Sequence, residues 1–348
     1  MVGTDILDEM RTMTTAPRRM DMDKQLRLII DTDTAGDDVT SILFGLLWPG
    51  VKVEAITTVM GNIPVGQCTI NALTTVEHAG RSGEVPVYEG CDRPLLRPLV
   101  QAAYVHGADG MGETNFPLPK QQAEKEHAAN AIVRLLNEYP GELEIVAHGP
   151  LTNLAVAYML DPTIVSKVKK VWVMGGSCHF RGNITSTAEF NFYVDPEAAQ
   201  MVFQAGFPIV MVGWDVCCRY ALIGGEDLEK LKRIDTPISK FYHQVNRKAL
   251  EFNMANGLEG VTHPDSVTIA MCIRPELILK SGHYPVQIEC QSEANRGFSA
   301  VDTRPAPENT PAYAGETSRS EVVLESDYRE FYRMLTAMLS GDYSEYLN

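Results

Sequence analysis

Apolar residues near the start of the chain form a short run and then a helical stripe. Residues 26–30 (LRLII) are almost all apolar and end at Asp31, which is typical of a buried strand. The next apolar residues are spaced as on one face of an amphipathic helix: Val39, Ile42, Leu43, Leu46 and Leu47. Pro49 and Gly50 end this helix, and the β-rich segment 51–59 predicts a second strand.

The same alternation continues along the chain. Further strands are predicted at 85–88, 143–147, 171–174 and 208–212. Further helical segments are predicted at 67–81, 127–138, 151–160, 226–255, 267–272 and 328–339, with one more beginning at Pro196. Irregular segments rich in turn residues are predicted at 88–125, 175–194 and 305–317, and the chain turns strand-like after Leu277. This pattern predicts an α/β fold with a mainly parallel sheet and helices on both faces.

No linker or repeat divides this pattern, so residues 25–348 are expected to form a single extended domain. Residues 1–24 are polar and rich in Met, and we expect them to be a poorly ordered N-terminal extension. The extension contains Asp5, Asp8 and Glu9 and has no continuous apolar segment, so it is not expected to be a secretory signal.

Charge and cysteine content exclude several classes of protein. The chain has 45 acidic against 30 basic residues and a formal charge of −15, so a nucleic acid partner is not expected. No apolar stretch reaches about 18 residues, so no membrane helix is expected. The seven cysteines are odd in number and form no CxxC pair, which favours reduced, mostly buried thiols and a cytoplasmic protein.

Four carboxylates lie within the eight residues 31–38 (DTDTAGDD), between the first strand and the first helix. Ligands of open parallel sheets bind beyond the carboxyl ends of the strands. Carboxylates this close raise one another's pKa unless a positive charge neutralises them, and Ca²⁺ accepts such irregular oxygen ligands more readily than Mg²⁺ does. Helix capping accounts for Asp37 and Asp38 but not for Asp33, so we favour a metal site; the spacing excludes an EF-hand.

With the segments that follow, this motif resembles the inosine–uridine type of nucleoside hydrolase. The matching segments are DTDTAGDD (31–38), AITTVMGN (55–62), HGADGMG (106–112), AHGPLTNLA (147–155), VMGG (173–176), AEFNFYVDPEAA (188–199), MVGWD (211–215) and HPD (263–265). They occur in order over residues 26–340. The resemblance implies a Rossmann-like nucleoside hydrolase fold and a Ca²⁺-dependent enzyme of nucleoside catabolism or of purine and pyrimidine salvage. Such an enzyme hydrolyses the N-glycosidic bond of ribonucleosides to ribose and a free base.

Residue roles follow from the same resemblance. Asp33 would both bind the calcium and deprotonate the attacking water that the calcium holds. The other metal ligands would be Asp38, Asp265 and the backbone carbonyl of His148. Ribose contacts are implied for Asp37, Asn62, Met174, Asn183, Glu189, Asn191 and Asp265. If residues 189–191 are extended, Glu189 and Asn191 point to one face and Phe190 to the other. Bond cleavage develops positive charge on the ribose, which suits such a ring of oxygen atoms.

The group that assists the leaving base is less clearly indicated. In inosine–uridine members a His directly precedes the last metal Asp, whereas here Pro264 occupies that position and His263 is displaced by one residue. His263 is therefore one candidate acid, the alternative being a surface or capping residue. His106, in a matching segment, is a second candidate that could contact the base.

Aromatic residues give a weaker prediction for the base site. Trp48, Trp172 and Trp214 lie in helix-like or strand-like runs, so we interpret them as core residues. Phe252 and Tyr242 are candidates for stacking on the base.

Two alternatives to a hydrolase remain open at this point. Asp31-Thr32-Asp33-Thr34 partly fits the DxDxT motif of haloacid-dehalogenase-like phosphatases, which use Mg²⁺. A non-catalytic, calcium-dependent nucleoside or ribose binder would also explain the displaced His263. The expected partner in solution is a nucleoside, and the resemblance suggests a homodimer or homotetramer.

Overall fold

A nine-stranded sheet forms the centre of the molecule. The computed structural model describes residues 25–179, 182–304 and 319–347. The strands of the main sheet lie in the order β10-β9-β11-β6-β5-β4-β1-β2-β3. Their bounds are β1 Leu26–Thr32, β2 Val51–Thr58, β3 Val87–Glu89, β4 Leu143–Ala147, β5 Lys170–Met174, β6 Ile209–Val212, β9 Ile278–Ile288, β10 Ser299–Val301 and β11 Arg319–Ser326. From β3 through β2, β1, β4, β5 and β6 to β11, each strand is parallel to the next one in the sheet. By contrast, β9 is antiparallel to both of its neighbours.

Helices connect these strands and cover both faces of the sheet. They are α1 Gly36–Leu47, α2 Val65–His78, α3 Ala103–His106, α4 Ala128–Glu138, α5 Thr152–Leu160, α6 Phe190–Val194, α7 Pro196–Gln204, α8 Trp214–Tyr220, α9 Gly225–Leu231, α10 Pro237–Val245, α11 Arg247–Ala255, α12 Pro264–Ile273, α13 Tyr328–Ser340 and α14 Ser344–Leu347. Short 3₁₀ turns lie at Pro162–Ser166, Pro275–Leu277 and Glu293–Asn295. A separate antiparallel pair, β7 (Leu222–Ile223) and β8 (Val261–Thr262), lies beside α8 and α11.

Apolar side chains are buried on the two faces of the sheet. One cluster contains Phe44 of α1, Trp48 directly after that helix and Phe331 of α13, and the other contains Phe203 of α7. Buried strands with continuous apolar runs are expected in a parallel sheet covered on both sides. The predicted α/β fold and the single domain are therefore confirmed. In the described part of the chain, no helix has the length and apolarity needed to cross a membrane.

Three details differ from the prediction or complete it. The segment predicted as a loop at 175–194 ends in the short helix α6, and α3 interrupts the irregular segment 88–125. All seven cysteines are free thiols, as predicted. The N-terminal extension 1–24 and the predicted loop 305–317 lie outside the described residues.

Candidate active site

The site lies where the order of the sheet reverses. β1 pairs with β2 on one side and with β4 on the other, so the helices that follow β1 and β4 leave the sheet in different directions. This switch point, at the carboxyl ends of the strands, is the usual ligand site of an open parallel sheet. Asp33 directly follows β1, and His148 directly follows β4. The amide of His148 donates to the carbonyl of Asp31 at 2.8 Å, which holds the two strand ends together.

A cavity of about 450 Å³ opens at this edge. Ten of the twelve predicted site residues line it: Asp37, Asp38, Asn62, His106, His148, Met174, Asn183, Glu189, Asn191 and Asp265. Asp33 lies behind this lining, and His263 is elsewhere. Buried carboxylates at this edge form what we call the acidic floor, defined as Asp33, Asp37, Asp38, Glu189 and Asp265. Three aromatic residues of the lining, Tyr104, Trp214 and Phe252, are what we call the aromatic wall.

Asp33 is completely buried, and only one of its two carboxylate oxygens has a hydrogen-bond partner. Its Oδ2 accepts a hydrogen bond from the backbone amide of Asn62 at 2.6 Å. Its Oδ1 is buried without a hydrogen-bond partner. Burial, and then the nearby charge of Asp38, raise the pKa of Asp33 well above its usual range. A buried carboxylate oxygen with no donor costs free energy, so this atom is suited to a ligand.

Asp38 is fixed by the start of its own helix. It accepts hydrogen bonds from Thr32 Oγ1 at 2.6 Å and from the backbone amide of Ala35 at 3.1 Å. The second bond is the capping interaction expected for an acid in the first turn of a helix. Burial nevertheless raises the pKa of Asp38 to about 7.

Asp37 caps a different helix, α12, far along the chain. Its Oδ2 accepts from the backbone amides of Asp265 at 2.7 Å and Ser266 at 3.1 Å, and its Oδ1 accepts from the hydroxyl of Ser266. Burial raises the pKa of Asp37 to about 7. Since both oxygens are engaged by α12, the predicted ribose contact would have to share them.

This link places Asp265 beside the cluster at 33–38, as the sequence predicts. The pKa of Asp265 is raised well above its usual range by burial first, and then by the charges of Asp38, Asp37 and Asp33. Within the described residues, however, no three His, Cys, Asp or Glu side chains form a group placed to hold a metal ion. The acidic floor is thus assembled, and its metal ligation stays a prediction. The free Oδ1 of Asp33 and the mutual repulsion of these acids are features that a hard cation would fit.

Glu189 and Asn191 do not lie on an extended segment, so the condition for the two side chains to share one face of a strand is not met. Glu189 is the N-cap of α6, where its oxygens accept from the amides of Gly176 and Asn191, both at 2.9 Å. Burial raises the pKa of Glu189 to about 7. Asn191 donates from Nδ2 to the carbonyl of His148 at 2.7 Å and to that of Met174 at 3.1 Å. Both residues line the cavity even so, because the helix begins at this point.

The remaining predicted contacts also face the cavity. Asn183 is exposed and accepts from the amide of Phe190 at 2.8 Å, whereas Met174 is buried. The imidazole of His148 is buried against the hydroxyl of Ser41, and burial lowers its pKa to about 3. His148 can therefore offer the site its backbone carbonyl rather than a charged side chain.

His263 is not placed to act on a leaving group. It is completely buried, with Nε2 at 2.7 Å from the hydroxyl of Tyr242 and Nδ1 at 3.2 Å from the carbonyl of Ala221. Pro264 lines the cavity in its place. Tyr242 is also completely buried, so its predicted role in base stacking is wrong. Both side chains are held in the core, so His263 is neither the surface residue nor the side-chain cap of the alternative interpretation.

His106 does line the cavity. It ends the short helix α3 and lies over the first turn of α1, where a Cβ on Gly36 would come within 2.5 Å of its Nδ1. Position 36 also has a φ of +21°, so a glycine is required there on two counts. Burial lowers the pKa of His106 to about 4, and its Nδ1 has no hydrogen-bond partner.

The aromatic wall was largely missed from the sequence. Trp48 and Trp172 are core residues as predicted, but Trp214 is only partly buried and lines the cavity. Phe252 lines it too, as the stacking prediction requires, with its ring centroid 5.7 Å from that of Tyr104. Tyr104 lies in the irregular segment 88–125, just before the matching segment 106–112, and neither the length of this loop nor that motif pointed to Tyr104 itself.

Comparison with known proteins agrees with this geometry. A family model described as inosine-uridine preferring nucleoside hydrolase matches residues 28–333. The chain is 34% identical to the inosine-uridine preferring nucleoside hydrolase of Crithidia fasciculata, over 89% of this chain and 96% of that protein. It is 37% identical to uridine nucleosidase 1 of Arabidopsis thaliana, over 73% and 76% of the two chains. The structure of a plant nucleoside hydrolase matches with a TM-score of 0.84 and 31% identity, covering 90% of this chain and 99% of that one.

Proposed function

Because the chain belongs to the inosine–uridine preferring nucleoside hydrolase family and is a hydrolase acting on N-glycosyl compounds, we propose that it hydrolyses ribonucleosides to ribose and free base. The observation that carries this proposal is the convergence of Asp265 with Asp33, Asp37 and Asp38 at the edge of one cavity. The family assignment leaves the phosphatase alternative without support, because the chain's family and structural relatives are nucleoside hydrolases.

We further propose that the acidic floor holds Ca²⁺. Asp33, Asp38, Asp265 and the carbonyl of His148 would be its ligands. Support comes from the unpartnered Oδ1 of Asp33 and from the raised pKa values of Asp33, Asp38 and Asp265, which a nearby cation would lower. Ca²⁺ rather than Mg²⁺ suits a site of carboxylates and a backbone carbonyl. When bound, the ion would lower the pKa of water in the site.

The chain's own residues would then carry the remaining steps. Asp33 would accept the proton of the attacking water, since its Oδ1 is not engaged by any other group. Asn62, Met174, Asn183, Glu189 and Asn191 would surround the ribose. Positive charge that develops on the sugar would face the carboxylates of the acidic floor, in a site where burial strengthens that attraction.

A substrate panel tests this function. The protein is incubated with inosine, uridine, adenosine and cytidine, with added Ca²⁺ or with a chelator, and the reducing sugar released is measured. Release with Ca²⁺ and loss of release with the chelator are expected. Tight nucleoside binding without sugar release would instead identify a non-catalytic binder.

The assembly state is a further proposal from the family resemblance. We expect a homodimer or homotetramer in solution. Light scattering on the purified protein would give the mass directly, and a mass near the 38.4 kDa of one chain would contradict this expectation.

A further inference from the structure

The loop between β9 and β10 reaches from the edge of the main sheet to α6. It covers residues 289–298, which we call the edge loop, and β10 is the edge strand beyond β9. The loop is closed by its own hydrogen bonds: the amide of Glu289 donates to the carbonyl of Phe298, and the amide of Gly297 donates to the carbonyl of Glu289, both at 2.9 Å. The residues of the edge loop, all of them described, do not line the cavity. Any effect of this loop on the site must therefore pass through other residues.

Arg296 in the edge loop holds the far end of α6. Although positively charged, it is only 5% exposed. Its Nη2 donates to the carbonyl of Val194, the last residue of α6, at 3.0 Å. Its guanidinium also lies over the ring of Tyr193, 4.4 Å from the ring centroid. The last carbonyls of a helix have no partner within the helix, so Arg296 supplies a donor that α6 itself lacks.

Two neighbours of Arg296 bring the edge loop against the same region. Gly297 has a φ of +75°, and a Cβ there would come within 2.6 Å of the Cα and the amide nitrogen of Tyr193. A glycine is needed for so close an approach of two backbones. Ser299, the first residue of β10, accepts from the amide of Ser177 and donates to the carbonyl of Ser177, both at 2.8 Å. The end of this hairpin thus contacts both α6 and the segment that follows β5.

The other end of α6 lies in the cavity. Glu189 is the N-cap of this helix, Asn191 lies in its first turn, and both line the cavity. Asn191 also donates to the carbonyls of His148 and Met174. With five residues, α6 is only about 7 Å long, so a shift at Val194 is passed on to the first turn. A helix this short has little stability of its own, so its position depends on the contacts at its two ends.

We propose that Arg296 is a positioning residue of the ribose site, which acts through α6 on Asn191. By holding the carbonyl of Val194 and the ring of Tyr193, Arg296 sets the position of the first turn of α6. That turn sets the direction in which the side chain of Asn191 meets the sugar. The inference rests on the proposed function, in which Asn191 is one of the residues around the ribose. A misplacement of about 1 Å can cost an enzyme about 100-fold in rate, so a residue outside the cavity can control turnover in this way.

Arg296→Met tests the inference, because it keeps the length of the side chain and removes its charge and its donors. The substrate is p-nitrophenyl β-riboside, whose phenolate leaves without taking up a proton, and Ca²⁺ is saturating. We expect kcat/KM to fall by at least about tenfold. Thermal melting gives the change in stability of the same variant. A lower melting temperature with kcat/KM within about twofold of the unsubstituted protein would show a merely structural role and overturn the inference.

Arg97→Met is the matched control. Arg97 also donates to the edge loop, at the carbonyl of Cys290, but it pairs at 2.8 Å with Glu197 of α7 rather than with α6. Its replacement therefore loosens the same loop without releasing Val194. We expect kcat/KM to change by less than about twofold. Equal losses of kcat/KM for Arg97→Met and Arg296→Met would overturn the inference.

A double variant tests the route through Asn191. Asn191→Ala removes the side chain on which Arg296 is proposed to act. Adding Arg296→Met to Asn191→Ala should therefore lower kcat/KM by no more than about a further twofold. Losses that multiply would show that the two residues act independently and would overturn the inference.

Arg296→Lys gives a second, milder variant. It keeps the charge and a donor for Val194 but lacks the planar group that covers Tyr193. Its kcat/KM should lie between the values for Arg296→Met and for the unsubstituted protein. If Arg296→Met does not fold, this variant carries the test, and a kcat/KM within about twofold of the unsubstituted protein would overturn the inference.

Failure of the proposed function would give a different result. If the unsubstituted protein releases no ribose with Ca²⁺ present, the hydrolase proposal fails, and the Kd for uridine from calorimetry takes the place of kcat/KM. Arg296→Met should then raise this Kd about tenfold, and an unchanged Kd would overturn the inference as well. No binding of uridine by the unsubstituted protein would overturn both.

Discussion

The acidic floor and the aromatic wall are built in different ways. Four of the five floor carboxylates accept a backbone amide hydrogen bond, and none of the five is more than 6% exposed. On the wall, by contrast, Tyr104 is 60% exposed and belongs to a helix of four residues. The floor is thus held by backbone amides at the ends of strands and the starts of helices, whereas Tyr104 of the wall is carried by a short helix within an irregular segment.

The largest expected effect is on the acidic floor. Asp33→Ala removes both the proposed base and a proposed metal ligand. We expect kcat/KM on p-nitrophenyl riboside to fall by about 1,000-fold or more, within the range for a positioned base with a metal. The assay is steady-state hydrolysis with saturating Ca²⁺, with thermal melting to check the fold. Activity within tenfold of the unsubstituted protein would contradict the role of Asp33.

Calcium should stabilise the floor in a pH-dependent way. In the metal-free protein, Asp37, Asp38 and Glu189 have pKa values of about 7, above their unfolded values near 4. The unfolded state therefore loses its protons first, and stability falls as pH rises from about 4 to about 7. At pH 7, Ca²⁺ at 100 times its Kd should add about 2.7 kcal/mol.

Thermal melting at pH 5 and pH 7, with Ca²⁺ or with a chelator, checks this expectation. The shift produced by Ca²⁺ should be larger at pH 7, because protonated carboxylates bind the ion poorly. An equal shift at both values of pH would mean that the floor carboxylates do not bind the ion.

The contribution of the hydrogen bonds between Asp37 and α12 to the stability of the protein should be measurable on its own. Ser266→Ala leaves Oδ1 of Asp37 buried without its donor, and we expect a loss of about 1–3 kcal/mol in the free energy of unfolding by urea. Thr268→Val is the control on the same helix, because that hydroxyl donates only to the carbonyl of Pro264. Equal losses for the two variants would argue against a special role for the link.

Substitution of His263 tests whether this buried residue only stabilises the core or also acts on the substrate. His263→Ala should destabilise the protein by about 1–3 kcal/mol, because the hydroxyl of Tyr242 loses its buried partner. Uridine and p-nitrophenyl riboside should be slowed by the same factor, since His263 does not face the cavity. Tyr242→Phe serves as the reciprocal control. Selective slowing of uridine would restore His263 as the acid.

The smallest effect is expected at Leu258, a lining residue outside both the acidic floor and the aromatic wall. Leu258 lines the cavity but is 37% exposed, so Leu258→Ala should change stability by no more than about 0.5 kcal/mol. A change in KM that depends on the base, with kcat nearly unchanged, is expected from kinetics with two ribosides. A large loss of kcat would show that this part of the lining and the floor are coupled.

Part of the acidic floor was predictable because Asp33 directly follows β1 and because Asp37 and Asp38 lie in the first turn of the helix after it. The apolar run before Asp31 and the helical stripe after Asp38 bracket the acidic motif, and the parallel sheet brings the ends of its strands to one edge. The motif series then indicated that Asp265 joins them. The motif could not indicate that Asp37 is linked to Asp265 by a hydrogen bond, which Asp37 accepts from the backbone amide at the start of α12.

The errors have physical reasons. Glu189 and Asn191 precede a predicted helix at Pro196, and nothing in their pattern distinguishes a strand from the single extra turn of α6. His263 turns inward because a completely buried hydroxyl, that of Tyr242, pairs with it, a contact between positions 21 residues apart. Trp214 and Tyr104 reach the cavity only through the arrangement of neighbouring elements, for which periodicity carries no information.

The hydrogen bonds that Asp37 accepts from the amides of Asp265 and Ser266 also constrain the order in which the site forms during synthesis of the chain. A growing chain that ends before α12 has synthesised β1 and α1 but has nothing to pair with Asp37, which leaves that carboxylate hydrated. The acidic floor is therefore completed late in translation, after most of the domain has emerged from the ribosome. If residues from 264 onward were supplied as a separate polypeptide, the two pieces would have to form these hydrogen bonds again before hydrolysis could return.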